Sequence, residues 1–220
     1  MLEGNMKRTI LLLSLTLLAL TGCHKFGQAT GSGKMKIDKR TVPAFTALDI
    51  SGAYDVEIVV QKEQSLELEG DDNLLPLIVT DVHGGVLEVS NSKGFSTKNK
   101  LRLRISVPSL MAISSSGASD ITVSGVKGDE FHVNVSGAGS LRVSGAIKTL
   151  EIKQSGAGDV DAKDFHAEKV NVDSSGAATA DVYASEELTA SVSGAGSVNY
   201  YGDPKTVKED TSGAGSINKR

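Results

Sequence analysis

Residues 136–157 read SGAGSLRVSGAIKTLEIKQSGA, and the Ser-Gly-Ala that opens this stretch also closes it. The same block recurs at Ser116, Ser136, Ser155, Ser175, Ser193 and Ser212, at intervals of 20, 19, 20, 18 and 19 residues. A unit of this length is too short for a domain and too long for a hairpin. It reads as one coil of a β-solenoid, in which neighbouring coils bury one another.

Counted from each Ser, apolar residues return at the fifth and seventh positions: Ile121 and Val123, Leu141 and Val143, Val160 and Ala162, Ala180 and Val182, Val198 and Tyr200. Polar residues separate them. A second alternating strand ends just before each block, as in Leu150 and Ile152 or Val170 and Val172. Inward residues then stack on equivalent residues one coil away, at the strand spacing of about 4.8 Å. At the corner between strands, Gly117, Gly137, Gly156, Gly176, Gly194 and Gly213 are expected to take backbone angles closed to other residues. The Ala that follows each is expected to point inward, and the Ser before it to join a hydroxyl ladder. These serines are structural in this reading, not catalytic.

Outward from the repeat, residues 36–111 also alternate, as in Val56-Glu57-Ile58, Leu66-Glu67-Leu68 and Leu101-Arg102-Leu103-Arg104-Ile105. Turn signals at Gly70-Asp71-Asp72-Asn73, His83-Gly84-Gly85 and 91–100 divide them. A further Ser-Gly-Ala at Ser51 predicts the same solenoid here with longer, less regular coils. Only residues 71–80 cluster apolar side chains as a helical turn does, and Pro76 limits that turn. No Trp and nine Phe plus Tyr, against 24 Gly, fit thin aliphatic layers better than a thick sandwich.

Lys7 and Arg8 precede an apolar run from Ile10 to Leu20, about half the length a bilayer span requires. Leu20-Thr21-Gly22-Cys23 closes it and resembles the bacterial lipobox. That resemblance implies a secretory leader over 1–22, cut before a lipidated Cys23 that would tie the chain to a membrane; Met6 is the more natural start of such a leader than Met1. Cys23 is the only cysteine, so no disulfide or zinc cluster forms within one chain. His24 stands where an Asp would resemble an inner-membrane retention signal, which favours the outer membrane of the cell envelope. Residues 23–35, small and polar, read as a flexible tether. The body then spans 36–220, irregular over 36–111 and regular over 112–220.

Several stretches resemble the putative auto-transporter adhesin, head GIN domain family. They are Arg40-Thr41-Val42-Pro43-Ala44-Phe45 leading into Leu48-Asp49-Ile50-Ser51-Gly52-Ala53, Leu66 to Leu74, Val107-Pro108-Ser109-Leu110, and Tyr200-Tyr201-Gly202-Asp203-Pro204 before Ser212-Gly213-Ala214. The resemblance implies an all-β, right-handed parallel β-helix, secreted or lipid-anchored, to which the block spacing adds coils of roughly 19–20 residues. It brings no catalytic residues.

The residues themselves offer little chemistry. Gly31-Ser32-Gly33-Lys34 ends like a phosphate-binding loop, but Gln28 stands where its first glycine is needed and Met35 replaces the magnesium-binding Ser or Thr. The net charge of -4, with no concentrated basic face, argues against nucleic acid. His83, His132 and His166 are scattered and fit no Ser-His-Asp order. No cofactor is implied. Asp159, Asp161 and Asp181 fall in outward columns where a cation such as calcium would find several carboxylate oxygens; a solvated polar face with mild like-charge strain is the favoured reading. A long rigid face of Ser, Thr and Asn would suit a glycan or protein ligand. Charges from Lys205 to Arg220 would protect the last coil's open edge, leaving a monomer or weak oligomer. A non-catalytic envelope protein that binds, adheres or scaffolds is therefore expected. The alternatives are a carbohydrate-active β-helix enzyme and a structural lipoprotein without a specific ligand.

Overall fold

The computed structural model describes residues 28–220; the leader and Cys23 lie outside the described residues. Its first half comprises β1 (Ala29–Thr30), β2 (Met35–Arg40), β3 (Ala47–Ile50), β4 (Asp55–Val60), β5 (Ser65–Asp71), β6 (Ile78–His83), β7 (Val86–Asn91), β8 (Phe95–Ser96), β9 (Arg102–Val107) and β10 (Ala112–Ser115). The regular half comprises β11 (Asp120–Val135), β12 (Ser140–Gly156), β13 (Asp159–Gly176), β14 (Thr179–Gly194), β15 (Ser197–Tyr201), β16 (Thr206–Gly213) and β17 (Ser216–Lys219). Residues 71–80 hold only a 3-10 turn, Leu75–Leu77, with Pro76 in its first turn.

Stacked parallel coils of about 20 residues form a β-solenoid of about 5 turns. The repeat produces this because equivalent positions pair directly. Leu87, Leu48, Ile113, Val133, Ile152, Val172 and Ala190 follow one another through seven successive strands as one inward ladder. A second ladder runs Val56, Ile121, Leu141, Val160, Ala180, Val198 and Ile217. All of these except Ile217, in the final coil, are buried. Phe131 and Phe165 fill the width of the tube, edge to face with ring centroids 5.5 Å apart. Each full aliphatic burial contributes about 1.5–3 kcal/mol, so repetition of modest side chains replaces one thick core.

The Ser-Gly-Ala corner works differently from the expectation. The alanine side is outermost: Ala118, Ala138, Ala157, Ala177, Ala195 and Ala214 are exposed. The residue after each alanine turns inward instead, as Ser119, Gly158, Ala178 and Gly196 do. Each alanine N–H donates to the corner glycine carbonyl one coil below, from Ala118 to Gly52 at 2.8 Å through Ala214 to Gly194 at 2.8 Å. Stacking at that distance leaves no room for a Cβ. Gly156, Gly176, Gly194 and Gly213 do have positive φ, but Gly117 and Gly137 do not. At those two the close approach of backbones is the reason for glycine. No hydroxyl ladder forms at these serines: Ser136 and Ser175 reach 3.5 Å toward the carbonyls of Ser115 and Gln154 in the coil below.

The first half departs further. β2 runs antiparallel to β5, β5 to β9, and β6 to β7. Longer coils alone do not describe it. His83-Gly84-Gly85-Val86 sets the local topology: both glycines have positive φ, 58° and 80°, which makes a two-residue hairpin turn and reverses the chain. The segment read as a tether is also partly built in. β1 pairs in parallel with β8, and the Gly31 N–H donates to the Ser96 carbonyl at 2.8 Å.

Both ends of the tube replace part of their apolar inward set with polar residues, while Val207 and Ile217 keep the ladders of Leu188 and Val198 apolar in the last coil. At the first end, Asp38 and Arg40 pair with the buried Leu68 and Leu66 and so face the core side. Arg40 donates to Ile78 O at 2.6 Å, Leu75 O at 2.7 Å and Thr80 Oγ1 at 2.9 Å, and holds Asp38 at 3.0 Å. At the other end, Glu209 continues the ladder of Val172 and Ala190, and Thr211 that of Val192. Inward charge at a terminal strand denies a second tube an apolar end to stack on.

Candidate binding surface

The outward columns of the regular coils pair among themselves. Asp161 stands between Arg142, whose Nε lies 3.1 Å from Oδ2, and Lys163, whose Nζ lies 3.1 Å from the same oxygen. Burial pushes its carboxyl up, but hydrogen bonds from Lys163 and Arg142 outweigh this and hold it below the usual carboxylate range. Asp159 accepts the Thr179 N–H at 2.9 Å, and Asp181 accepts from Asn199 Nδ2 at 2.8 Å. The three candidate cation ligands thus point to three different sets of partners. Among the described residues, no three His, Cys, Asp or Glu side chains gather as a metal ion would require.

The histidines also stay apart. His83 ends β6; His132, on β11, places Nδ1 2.8 Å from Glu151 Oε2; His166 lies on β13. Hydrogen bonds from Lys153 and then His132 hold the Glu151 carboxyl below its ordinary range. The repeat serines face solvent at a corner, separate from all three.

One outward column is aromatic. His166 pairs with Tyr183, and Tyr183 with Tyr201, in three successive coils. The His166 and Tyr183 rings meet edge to face, with centroids 4.4 Å apart. They line a depression of about 430 Å³ together with Lys148, Glu168 and Ser185. A Cβ at Gly202 would lie 2.2 Å from the Ala184 carbonyl oxygen and 3.3 Å from Tyr183 Cζ, so the glycine serves the close approach of two backbones first and the ring second. Of the other described aromatic residues, Phe45, Tyr54, Phe131, Phe165 and Tyr200 are buried. Sequence reasoning missed this column although part of the signal was there: Tyr183 and Tyr201 both stand eight residues after a block Ser. His166 was hidden because β13 bulges between Ala162 and His166 and shifts the count.

A second cleft, of about 410 Å³, lies under the loop over 91–100 and is lined by Tyr54, Asp55, Phe95, Thr97, Lys100 and Asp120. Burial pushes the Tyr54 hydroxyl up to about 12, against the opposing pull of the Arg40 charge. That hydroxyl donates to Asn91 Oδ1, and Asp55 is held by Lys100 at 3.4 Å. This cleft is internally satisfied.

The family model for "Putative auto-transporter adhesin, head GIN domain" matches residues 44–204. The chain belongs to this family. Solved structures share the architecture of this head GIN domain. A "putative adhesin" from Bacteroides fragilis is 23% identical with a TM-score of 0.73, covering 87% of this chain and 99% of that one. A "putative lipid binding protein" from Parabacteroides distasonis is 20% identical with a TM-score of 0.59, covering 88% and 99%. A "putative adhesin" from Parabacteroides merdae is also 20% identical, with a TM-score of 0.58 and the same coverage. At these identities the likeness is one of fold. No curated protein matches the head GIN chain significantly.

Proposed function

We propose that this head GIN domain is a lipid-anchored, non-catalytic protein of the bacterial envelope that binds a glycan on its outward face. The observation that carries the reading is the partly exposed column His166, Tyr183 and Tyr201 on a rigid parallel sheet. Aromatic rings offer a sugar's apolar face a stiff surface, while Lys148, Glu168 and Ser185 at the same depression supply hydrogen bonds to hydroxyls. The family's adhesin description and the adhesin-named neighbours support a binding role. Against catalysis stands the engagement of Asp161, Glu151 and His132 in outward pairs rather than in one cleft. Anchoring follows from the leader and Cys23, and the outer membrane from His24.

A glycan array with the full mature chain tests the ligand. Binding is expected without release of product, and Tyr183→Ala with Tyr201→Ala should weaken it at least tenfold without lowering the melting temperature by more than a few degrees. Product release would replace this reading with an enzyme, and silence across the array with a structural role. Labelled palmitate should enter the wild-type chain and be absent from Cys23→Ser.

A further inference from the structure

The charge of this chain is segregated. Residues 28–40 and 91–100 carry seven Lys and Arg against one Asp, whereas the remaining described residues carry 13 against 25. The two basic segments lie together, because β1 pairs with β8 and the arm is clasped to the loop through Asp71. The Asp71 carboxylate, 1% exposed, accepts from the Gly33 N–H at 2.8 Å, Asn99 Nδ2 at 2.8 Å and Thr97 Oγ1. Ser32 and Asn73 add a bond of 2.9 Å, and Asn73 Nδ2 reaches the Thr30 carbonyl at 2.8 Å. The arm therefore leaves the body in a fixed place.

Around that exit, Lys34, Lys36, Lys93 and Lys98 are exposed and make no ion pair among the described residues. The nearby carboxylates are already engaged. Asp71 and Asp72 bind the arm and the loop, and Glu67 and Glu69 bind Arg104 and Arg102. The edge strand β2 alternates its faces: Lys36 shares the side of Asp38 and Arg40, whereas Met35, 46% exposed, and Ile37, 52% exposed, two of the four large apolar side chains most open to solvent, stand on the other, opposite Asp71 and Glu69. Unpaired lysines and protruding apolar side chains at one end of the tube match an anionic lipid surface, where the charges meet headgroups and the apolar groups enter the boundary with the acyl chains.

We infer that the arm end of the solenoid rests on an anionic phospholipid surface through Lys34, Met35, Lys36, Ile37, Lys93 and Lys98. The tube then stands with its last coil away from the membrane. The inference takes its geometry from the anchored reading. Four residues lie between Cys23 and Gln28, and the five steps from one to the other span at most roughly 18 Å. A lipidated Cys23 would hold this end within reach of the headgroups. The glycan-binding column is not required.

Vesicle flotation with the full mature chain carrying Cys23→Ser isolates the surface from the lipid anchor. Binding is expected to vesicles of mixed phosphatidylglycerol and phosphatidylethanolamine, to fall steeply between 20 and 200 mM salt as screening lengths of order 10 Å predict, and to be absent on phosphatidylcholine. Each lysine near an anionic surface contributes roughly fivefold. The quadruple charge reversal at Lys34, Lys36, Lys93 and Lys98 should therefore lower partitioning more than a hundredfold, and Met35→Ser with Ile37→Ser severalfold. Reversal of Lys127 and Lys169, unpaired in middle coils, should change it less than threefold. No binding to anionic vesicles, equal binding to phosphatidylcholine, or an equal loss on reversing Lys127 and Lys169 would overturn the inference. Palmitate labelling reports on Cys23 separately, so vesicle binding in a chain that takes no label would retain the surface and remove only the anchor.

Discussion

A Cβ placed on Gly137 would lie 1.8 Å from the carbonyl oxygen of Gly117, one coil below it. The same carbonyl accepts the Ala138 N–H at 3.0 Å, so a hydrogen bond that joins two coils also forbids a side chain between them. Gly137→Ala must part the coils locally. A loss of at least about 3 kcal/mol is expected, because overpacking against backbone cannot be relieved by a rotamer change. Gly33→Ala is the control. Its φ is 78° but nothing lies near its Cβ, so about 1–2 kcal/mol of local strain is the whole cost. Urea unfolding of both variants measures the contrast; equal losses would refute close approach as the reason for the glycine column.

The Asp71 clasp should make the arm sensitive to acid. Hydrogen bonds from Thr97, then Asn99 and Gly33, hold its carboxyl below the usual range and outweigh the upward push of burial. The unfolded chain then takes up this proton at a higher pH than the folded one. The stabilisation is complete above the ordinary carboxylate range, from about pH 5 upward, and is lost as pH falls through the lowered folded pKa. The protection of the Gly31 and Gly33 amides, taken as exchange relative to the intrinsic rate at each pH, should fall over that window in the wild type. In Asp71→Asn protection should already be low at pH 7 and lose its acid dependence.

Arg40 closes one end of the tube by satisfying two backbone carbonyls and the Thr80 hydroxyl. Arg40→Met keeps much of the aliphatic stem and removes those bonds, so a loss of about 2–4 kcal/mol is expected from the buried acceptors it leaves. Chemical denaturation measures it. A loss below 1 kcal/mol would mean that water replaces the guanidinium there.

Calcium at millimolar concentration should leave the melting temperature unchanged. Asp159, Asp161 and Asp181 each have a donor from within the protein, and a cation would have to displace Arg142 and Lys163 from Asp161. A rise of several degrees that disappears in Asp161→Asn would show that displacement is favourable.

The regular coils were legible because a period near 19 residues forces equivalent residues into contact, and the pairing of Leu141 with Val160 and of Val160 with Ala180 follows from counting alone. The direction of strands in the first half was not. Alternation in Leu66-Glu67-Leu68 is the same in parallel and antiparallel pairs, and only the double glycine at Gly84-Gly85 distinguished a hairpin there. Composition misread residues 28–35 for a related reason. A small polar segment can pair through its backbone and through a distant side chain, here Asp71, which local sequence does not display. The aromatic column was half visible in Tyr183 and Tyr201 and half concealed by the β13 bulge.

The bond from each alanine to the glycine beneath it is the same at Ala157, Ala177 and Ala195, with donor–acceptor distances of 3.1, 2.9 and 2.8 Å. At this corner the interior rungs repeat one backbone connection, while Arg40 and Glu209 are fittings that belong only at the extremities. Excising residues 157–176 would bring Ala177 onto Gly137 in the same relation that Ala157 now holds. A gene carrying this pattern can lengthen or shorten its product by whole rungs through in-frame duplication or loss, changing how far the protein reaches without inventing a new core.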